Sequence, residues 1–470
     1  MDLFSLPIEI LEQIFKHLEL NDLLSCSMVC KEWRSGINQD FIWRRKCLEN
    51  KYEPDLIEIS TTHKFIDDYE TDNEENGDSL EPPGYWRKVY NWYSALAFNW
   101  LNGNFINYKL SITQSPVYCL DCDGQTIATG HEDANIYVWS VTTVPFHLTT
   151  MRCLLSDYPI LSIRIINNII IAQQKKLLQV YYNEDGKYKF IDAKSFEVGE
   201  NHIEQMSRIE LLGREYENWY KECLRMNEVY SNSNKGLVYN LCDRTLFASN
   251  NHSGFLFSWK LPDNELFSCY EVHQDNISQI ECVRGEVYLT VGIDVTHLLI
   301  LDKMTDTFKI LLSVPGTKRF IIGQDLILAV PLPGDNYLKR LWVWNKNDEY
   351  ESPRIRDVIC TQHSAFIALH KFIVYSESSQ VKVWDPNQDI LVSKVSVGTT
   401  IDFIKNCFST VLIVFVNSNL YLWNWKTGMQ ICCLNNSSEW IGDFRRLVWI
   451  SPTMLISGGC SKQLQIFSFW

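Results

Sequence analysis

Cys119 and Cys122 form a C-x-x-C pair, and this is the stretch whose residue types and spacing most directly suggest chemistry, because two such thiols can hold zinc or cycle through a disulfide. A structural zinc site needs a second pair, and none follows at zinc-like spacing. The motif also straddles what reads as a strand and its turn. These thiols therefore read as small apolar residues, as do Cys432 and Cys433 inside Gln430-Ile431-Cys432-Cys433. No grouping of His, Cys and Ser supplies a nucleophile, a base and an orienting partner. The expectation is a chain with no catalytic residue, no metal and no cofactor.

Behind these residues stands a chain of 470 residues, long enough for a small module and one large domain. It is 46% hydrophobic and 13% aromatic with 16 Trp, which is the composition of a folded protein with a sizeable core. A net charge of −14 argues against general binding to nucleic acid or to an anionic membrane, since both rely on basic surfaces. Its first residues reach Pro7 with no charged and apolar leader, and no run approaches 18 apolar residues. The 15 Cys are accordingly expected to be reduced, in the cytoplasm or nucleus.

Four stretches succeed one another. In the first, residues 1–48, Ile10, Leu11, Ile14, Phe15 and Leu18 recur at helical spacing, with Pro7 suited to the first turn and Ser5 available as a cap. Asn21 can cap a second short helix carrying Leu23 and Leu24, and Asp40 a third carrying Phe41 and Trp43. Residues 49–84 form an acidic linker, Asp67-Asp68-Tyr69-Glu70-Thr71-Asp72-Asn73-Glu74-Glu75, closed by Pro82-Pro83-Gly84. Residues 85–103 return to helical spacing through Trp86, Val89, Tyr90, Tyr93, Leu96 and Trp100, and read as a helix joining the first module to the large domain.

From residue 104 to 470 the period is that of strands, and one unit keeps returning. Its clearest copies are Asn135-Ile-Tyr-Val-Trp139, Gly254-Phe-Leu-Phe-Ser-Trp259, Arg340-Leu-Trp-Val-Trp344, Gln380-Val-Lys-Val-Trp-Asp385 and Asn419-Leu-Tyr-Leu-Trp423, with weaker copies ending at Tyr181, Leu301 and Phe467. The separations are 39 to 44 residues except for one of 78, which holds a blade plus an insertion near Gly199 to Asn234 where Ile203, Met206, Ile209 and Leu212 suggest helix. A period near 40 with a Trp-Asp-like strand end predicts a mainly β fold, a WD-repeat β-propeller. Strand ends give eight blades, with seven as the alternative. The last blade has only three strands before Trp470, so Phe105 to Ile112 is expected to supply its outer strand.

Leu6-Pro7, Ile10-Leu11, Ile14-Phe15, Leu18, Asp22-Leu23-Leu24, Val29-Cys30-Lys31, Trp33-Arg34 and Trp43 together resemble an F-box, the motif by which substrate receptors attach to the Skp adaptor of cullin-type ubiquitin ligases. With the propeller, the chain resembles the F-box/WD-repeat proteins, although only Trp384-Asp385 is a full Trp-Asp and the Gly-His pair is mostly missing. This resemblance implies a non-catalytic substrate receptor. Leu6, Pro7, Ile10, Leu11, Ile14, Leu18 and Leu23 would meet the adaptor, and through it cullin and a RING subunit, while the propeller binds a protein target for ubiquitination and proteasomal degradation.

In that family targets bind the propeller's top face, and phosphorylated ones are read by Arg near the starts of the inner strands. The corresponding positions here are Tyr118, Arg164, Tyr239, Glu281, Ile321, Ile367, Asp402 and Arg446. Tyr118, Arg164, Tyr239 and Arg446, joined by Lys175, Lys176 and Lys462 in nearby turns, make the expected target-binding set. Two guanidiniums can grip a phosphate or carboxylate bidentately. Other readings from the residues are arginines paired with acidic neighbours such as Asp402 or Asp443, an acidic unphosphorylated target, a propeller scaffold not coupled to a ligase, and a propeller hydrolase or lyase, for which the inner strands offer only scattered acidic and His residues.

Overall fold

The computed structural model describes residues 10, 13–15, 17–50, 84–111, 115–142, 144–184, 186–195, 237–242, 244–250, 255–261, 265–272, 277–292, 294–333, 338–346, 353–361, 364–377, 379–398, 401, 403–408, 410–416, 419–435, 448–458 and 463–470. The acidic linker and the expected helix of the insertion lie outside them. Two compact units emerge, one of residues 1–102 with Trp470 and one of residues 103–469.

In the helical unit, residues 10 and 13–15 are helical, followed by α1 (Leu20–Ser27), α2 (Lys31–Ile37), α3 (Asp40–Glu49) and α4 (Tyr85–Asn102). The caps differ from expectation. Asn21 lies inside α1 and Asp40 is the first residue of α3, whose preceding Gln39 makes no side-chain cap bond. Asp40 instead accepts from the backbone N–H of Trp86 at 3.1 Å, and so receives the start of α4. Trp43 is the hub. It is fully buried, donates from Nε1 to the carbonyl of Ile37 at 2.6 Å, and packs 5.3 Å from Tyr90 of α4. The guanidinium of Arg87 lies 5.1 Å from the Trp43 ring. Aromatic burial of this kind, with a satisfied indole N–H, gives so small a unit most of its cohesion.

The larger unit is an eight-bladed propeller, and each blade is a four-stranded antiparallel sheet. After β1 (Ile106–Ser111), blade 1 is β2 (Val117–Cys122), β3 (Thr126–His131), β4 (Asn135–Ser140) and β5 (Phe146–Arg152), and blade 2 is β6 (Ser162–Ile166), β7 (Ile169–Gln174), β8 (Leu177–Glu184) and β9 (Lys187–Ser195). Blade 3 is β10 (Leu237–Cys242), β11 (Thr245–Asn250), β12 (Phe255–Lys260) and β13 (Glu265–Glu271), and blade 4 is β14 (Ile277–Val283), β15 (Glu286–Val291), β16 (Val295–Asp302) and β17 (Thr307–Pro315). Blade 5 is β18 (Thr317–Ile322), β19 (Leu326–Pro331), β20 (Leu338–Asn345) and β21 (Arg354–Ile359), and blade 6 is β22 (Phe366–Leu369), β23 (Phe372–Glu377), β24 (Gln380–Asp385) and β25 (Ile390–Ser396). Blade 7 is β26 (Phe403–Phe408), β27 (Val411–Val416), β28 (Asn419–Asn424) and β29 (Met429–Asn435). Blade 8 is β30 (Val448–Ile450), β31 (Met454–Gly458) and β32 (Gln463–Ser468), completed by β1.

Eight blades therefore hold, and the expected closure is realised: Ile106 to Ser111 run antiparallel along Ser468 to Gln463. Second strands such as Ile169-Ile170-Ile171-Ala172, Leu326-Ile327-Leu328-Ala329 and Val411-Leu412-Ile413-Val414 are apolar without alternation, because both faces are covered by neighbouring blades. Cores lie between blades: Ile127 and Val117 meet Ile456 and Ile466 across the closing seam, and Ala128 and Ile136 meet Ile163 and Ile170 of blade 2. The strand-ending aromatics also mark a geometric event. In blades 1, 2, 3, 6 and 7 the fourth strand carries one extra residue opposite the step into Trp139, Tyr181, Trp259, Trp384 and Trp423 of the third. Such bulges raise the local twist at the outer strand.

Candidate functional site

On the helical unit, the adaptor-facing expectation meets a mixed surface. Ile10 is 47% exposed and Ile14 38%, whereas Phe15, one residue on, is buried and lies edge-on 6.3 Å from Trp33. Leu18 is half-buried. Leu23 has no exposed surface, so in this structure it is a core residue of the unit rather than part of an exposed docking face. Leu6, Pro7 and Leu11 lie outside the described residues. Met28 and Val29 stand outside the expected adaptor-facing set and are 72% and 67% exposed. Their signal in the sequence is two apolar residues in succession where α1 ends, a position with no helical face to bury them.

In the propeller, the strand ladders define which inner-strand residues share one level of the ring. Matching each inner strand through its second strand to the third gives Asp121, Arg164, Asn240, Glu281, Ile321, Ile367, Lys405 and Trp449. Arg164, Glu281, Ile321 and Ile367 stand where the sequence spacing put them. Asp121 stands there in place of Tyr118 and Asn240 in place of Tyr239, and blades 7 and 8 present Lys405 and Trp449, Asp402 and Arg446 lying outside the described residues. The cause is local. The turn from β2 to β3 holds three residues and that from β6 to β7 two, and β2 and β26 contain bulges.

The polar members of this ring bridge neighbouring blades. Asp121 accepts from the backbone N–H of Ile165 at 3.1 Å, Asn240 donates to the carbonyl of Ile280 at 3.1 Å, Glu281 accepts from Ile322 N–H at 3.4 Å, and Lys405 donates to the carbonyl of Val448 at 3.2 Å. Burial raises the Asp121 and Glu281 carboxyls, Glu281 to about 7, and lowers the Lys405 ammonium. Lys405 as a whole residue is nevertheless solvent-exposed. Sequence reasoning missed Asp121 and Lys405 because both depend on turn lengths.

The expected target-binding residues divide. Arg164 is exposed and lies 3.8 Å from Asp121, while Asp402 and Asp443, the acidic neighbours considered from the sequence, lie outside the described residues. Tyr239 is committed to the fold, its hydroxyl donating to Ser162 Oγ at 2.9 Å. Tyr118 is exposed at the β2 bulge. Lys175 and Lys176 sit half-buried in the β7–β8 turn, beside the start of β6, and the Lys175 ammonium lies 3.4 Å above the Tyr158 ring. Arg446 and Lys462 lie outside the described residues.

At the same end of the channel, a cavity of about 210 Å³ opens between the starts of β18, β22, β26 and β30. Arg319 and Lys405 line it together with Phe366, Phe403, Ile404 and Val448. The C-x-x-C pair builds no common site. Both thiols belong to β2, but Cys119 faces blade 2 and Cys122 faces blade 8, and burial pushes the Cys122 thiol up. Among the described residues no group of His, Cys, Asp and Glu could hold a metal ion. Among the same residues no helix is long and apolar enough to cross a membrane.

Residues 3–49 match the F-box-like family. The F-box/WD repeat-containing protein pof1 of Schizosaccharomyces pombe is 26% identical over 190 residues, covering 29% of this chain and 31% of the relative. The probable E3 ubiquitin ligase complex SCF subunit sconB of Arthroderma otae is 26% identical over 151 residues, 30% of this chain and 22% of the relative. The F-box/SPRY domain-containing protein 1 of Aedes aegypti is 35% identical over 65 residues, 13% of this chain and 25% of the relative. The chain thus spans less than a third of the length of these curated relatives. Among solved structures, Saccharomyces cerevisiae Sqt1 (TM-score 0.54, 11% identity, 77% of this chain and 97% of that one) and the computationally designed Ika8 protein (0.53, 12%, 77% and 98%) share the fold. In sequence order an F-box-like segment precedes an eight-bladed propeller in this chain, the combination of F-box and WD repeats that the name of the pof1 relative carries.

Proposed function

We propose that this chain is the substrate-recognition subunit of a Skp–cullin–F-box ubiquitin ligase, acting in the cytoplasm or nucleus and contributing no catalytic group. The observation that carries the reading is an F-box-like segment, with Ile10 and Ile14 exposed, in front of a propeller. The segment would dock a Skp-type adaptor and through it cullin and a RING subunit. The propeller would hold a protein target. Ubiquitin transfer then gains from proximity, since a tethered lysine sees the reactive thioester at a high effective concentration. Target capture is assigned to the channel end that bears Tyr118, Arg164, Lys175 and Lys176, on a chain of net charge −14, with Arg446 and Lys462 as further candidates from the sequence.

Affinity purification of the full chain beside an Ile10→Asp/Leu11→Asp variant, read by mass spectrometry, tests this. The variant places charges in an apolar contact, where an unpaired buried charge costs several kcal/mol. Adaptor and cullin should disappear while propeller cargo remains. Undiminished recovery of adaptor would reject the docking assignment. A second pair, Arg164→Glu with Arg446→Glu, should lose cargo and keep adaptor; unchanged cargo would reject the basic sector as the reader.

A further inference from the structure

We propose that the facing sides of blades 5 and 6, toward their outer strands, form a basic seat for an extended acidic polypeptide segment, whose carboxylates are held by Arg354 of β21 and Lys394 of β25. Strand register places the cations. Arg354 pairs with Val343 and Arg356 with Leu341, and both partners belong to the core shared with blade 6, so the two arginines stand on the side of β21 that faces that blade. Arg356 reaches across: its Nε donates to the Tyr375 hydroxyl at 3.1 Å and its guanidinium lies 5.1 Å from the Trp384 ring. On blade 6, Lys382 pairs with Tyr375 of the same core and with Lys394 of β25, which puts both lysines on the side that faces blade 5. Four cations from two blades thus share one surface. That the segment belongs to a target protein rests on the reading of the propeller as a receptor; the seat itself does not.

Two carboxylates stand among these cations and leave two of them unmatched. Glu377 is taken up, one oxygen by Lys382 and the other by Ile359 N–H at 2.8 Å. Asp389 accepts from Trp384 Nε1 at 3.0 Å and lies 3.7 Å from Arg356. Arg354 and Lys394 are exposed and, among the described residues, carry no hydrogen bond or ion pair. Asp348, Glu349 and Glu351 of the β20–β21 connection lie outside those residues. Packing does not account for the arrangement, because like charges directly opposite on neighbouring strands, as Lys382 and Lys394 are, destabilise a sheet. Burial, together with Lys394 and Arg356, lowers the Lys382 ammonium. A bound anion relieves this repulsion. Arg354 and Lys394 belong to different sheets, and packed sheets stand about 10 Å apart, so the two suit separate carboxylates better than one phosphoryl group. Alternate side chains of an extended strand project to one face about 6.5 Å apart, which a Glu-x-Glu segment supplies, and long side chains close the difference. β21 and β25 are both sheet edges, along which an extended segment can lie.

Saturation-transfer NMR on the full chain, in phosphate-free buffer of low ionic strength, measures this with three probes: acetyl-Ala-Glu-Ala-Glu-Ala amide, the same peptide with Gln for Glu, and N-acetyl-O-phosphoserine amide. The Glu peptide should bind with a Kd on the order of a millimolar and the Gln peptide at least about ten-fold more weakly. Lys394→Glu should weaken the Glu peptide about five-fold or more. By turning a like-charge pair into an opposite one, it should also raise the midpoint of thermal unfolding by about 1–2 °C. A variant that is more stable and binds less has not lost the seat by misfolding. Arg354→Gln should weaken the Glu peptide about three-fold or more, and Arg164→Glu at the channel end should leave it unchanged. No binding, equal binding of the Glu and Gln peptides, tighter binding of phosphoserine, an unfolding midpoint not raised by Lys394→Glu, or loss on Arg164→Glu with none on Lys394→Glu would each overturn the proposal. So would a gain of about ten-fold on combining Asp348→Asn, Glu349→Gln and Glu351→Gln, since the chain's own connection would then be the occupant. Adaptor recovery is measured separately, so a failed docking assignment and an empty seat give different results.

Discussion

Glu281 shows how one residue of the ring couples the fold to pH. Its carboxyl accepts from Ile322 N–H and from Gln279, yet burial outweighs these bonds and the nearby Arg319 and Lys346, and raises it from 4.5 to about 7. The folded protein therefore holds this proton more tightly than the unfolded chain does. Stability from this group is full below about pH 4.5 and is lost as pH rises through 7. Glu281→Gln, which keeps an acceptor and removes the charge, should raise stability at pH 8 by about 1–3 kcal/mol and leave it nearly unchanged at pH 4.5. Urea unfolding across that range reads the difference, and identical pH slopes for both proteins would contradict it. Leu23 belongs to the same scale. Being fully enclosed, it should cost about 2–5 kcal/mol on Leu23→Ala, most visible as unfolding of the helical unit by circular dichroism at 222 nm.

At the scale of the element, the decisive strand is β1. It lies at the start of the propeller and pairs with β32 at its end, so one blade is built from both ends of the chain. Leu110 of β1 packs with Ile127, Ile456 and Leu464, which makes the strand part of the core as well as of the ladder. Truncation after Gly459 removes β32 and strands β1 without a partner, leaving open edges on β1 and β31. Soluble expression should be lost. A monomeric, cooperatively unfolding truncated propeller would show that β1–β32 pairing is dispensable. The outer strands have the opposite character: Ile390, Leu391 and Val392 of β25 and Phe146 and Leu148 of β5 are exposed, because no blade lies beyond them.

Across the whole propeller, burial sets a gradient of protection from the middle of each blade outward. Second strands β7, β19 and β27 are buried at every residue, whereas β5, β17 and β25 are mostly exposed. Local opening tracks such differences. Hydrogen exchange should therefore find the second strands slowest and similar to one another in all eight blades, and the outer strands about ten-fold or more faster. A propeller in which one blade's second strand exchanges as fast as its outer strand would indicate that this blade opens separately.

Much of this organisation was determined by the residues alone. The recurring strand ends from Trp139 to Phe467 pointed to eight blades with seven still open, because each blade needs one such strand and its spacing is set by the chain length of four strands. The missing fourth strand after Phe467 identified Phe105 to Ile112 as its substitute, since an unpaired edge has no other source of partners. Helical spacing around Ile10 and Ile14 marked an amphipathic helix, and the motif around it resembles an F-box, with which the F-box-like match at residues 3–49 agrees. What only the tertiary structure decided is which side chains stand together. Leu23 shares the apolar periodicity of Ile10 but is enclosed by its own unit, and periodicity cannot separate a face that meets a partner from one that meets the neighbouring helix. Asp121, Arg319 and Lys405 became channel residues through bulges and through turns of two or three residues, and one residue more or less turns a side chain to the other face of its strand. Arg319 and Lys405, on strands more than 80 residues apart, line one cavity only because successive blades set the starts of β18, β22, β26 and β30 side by side.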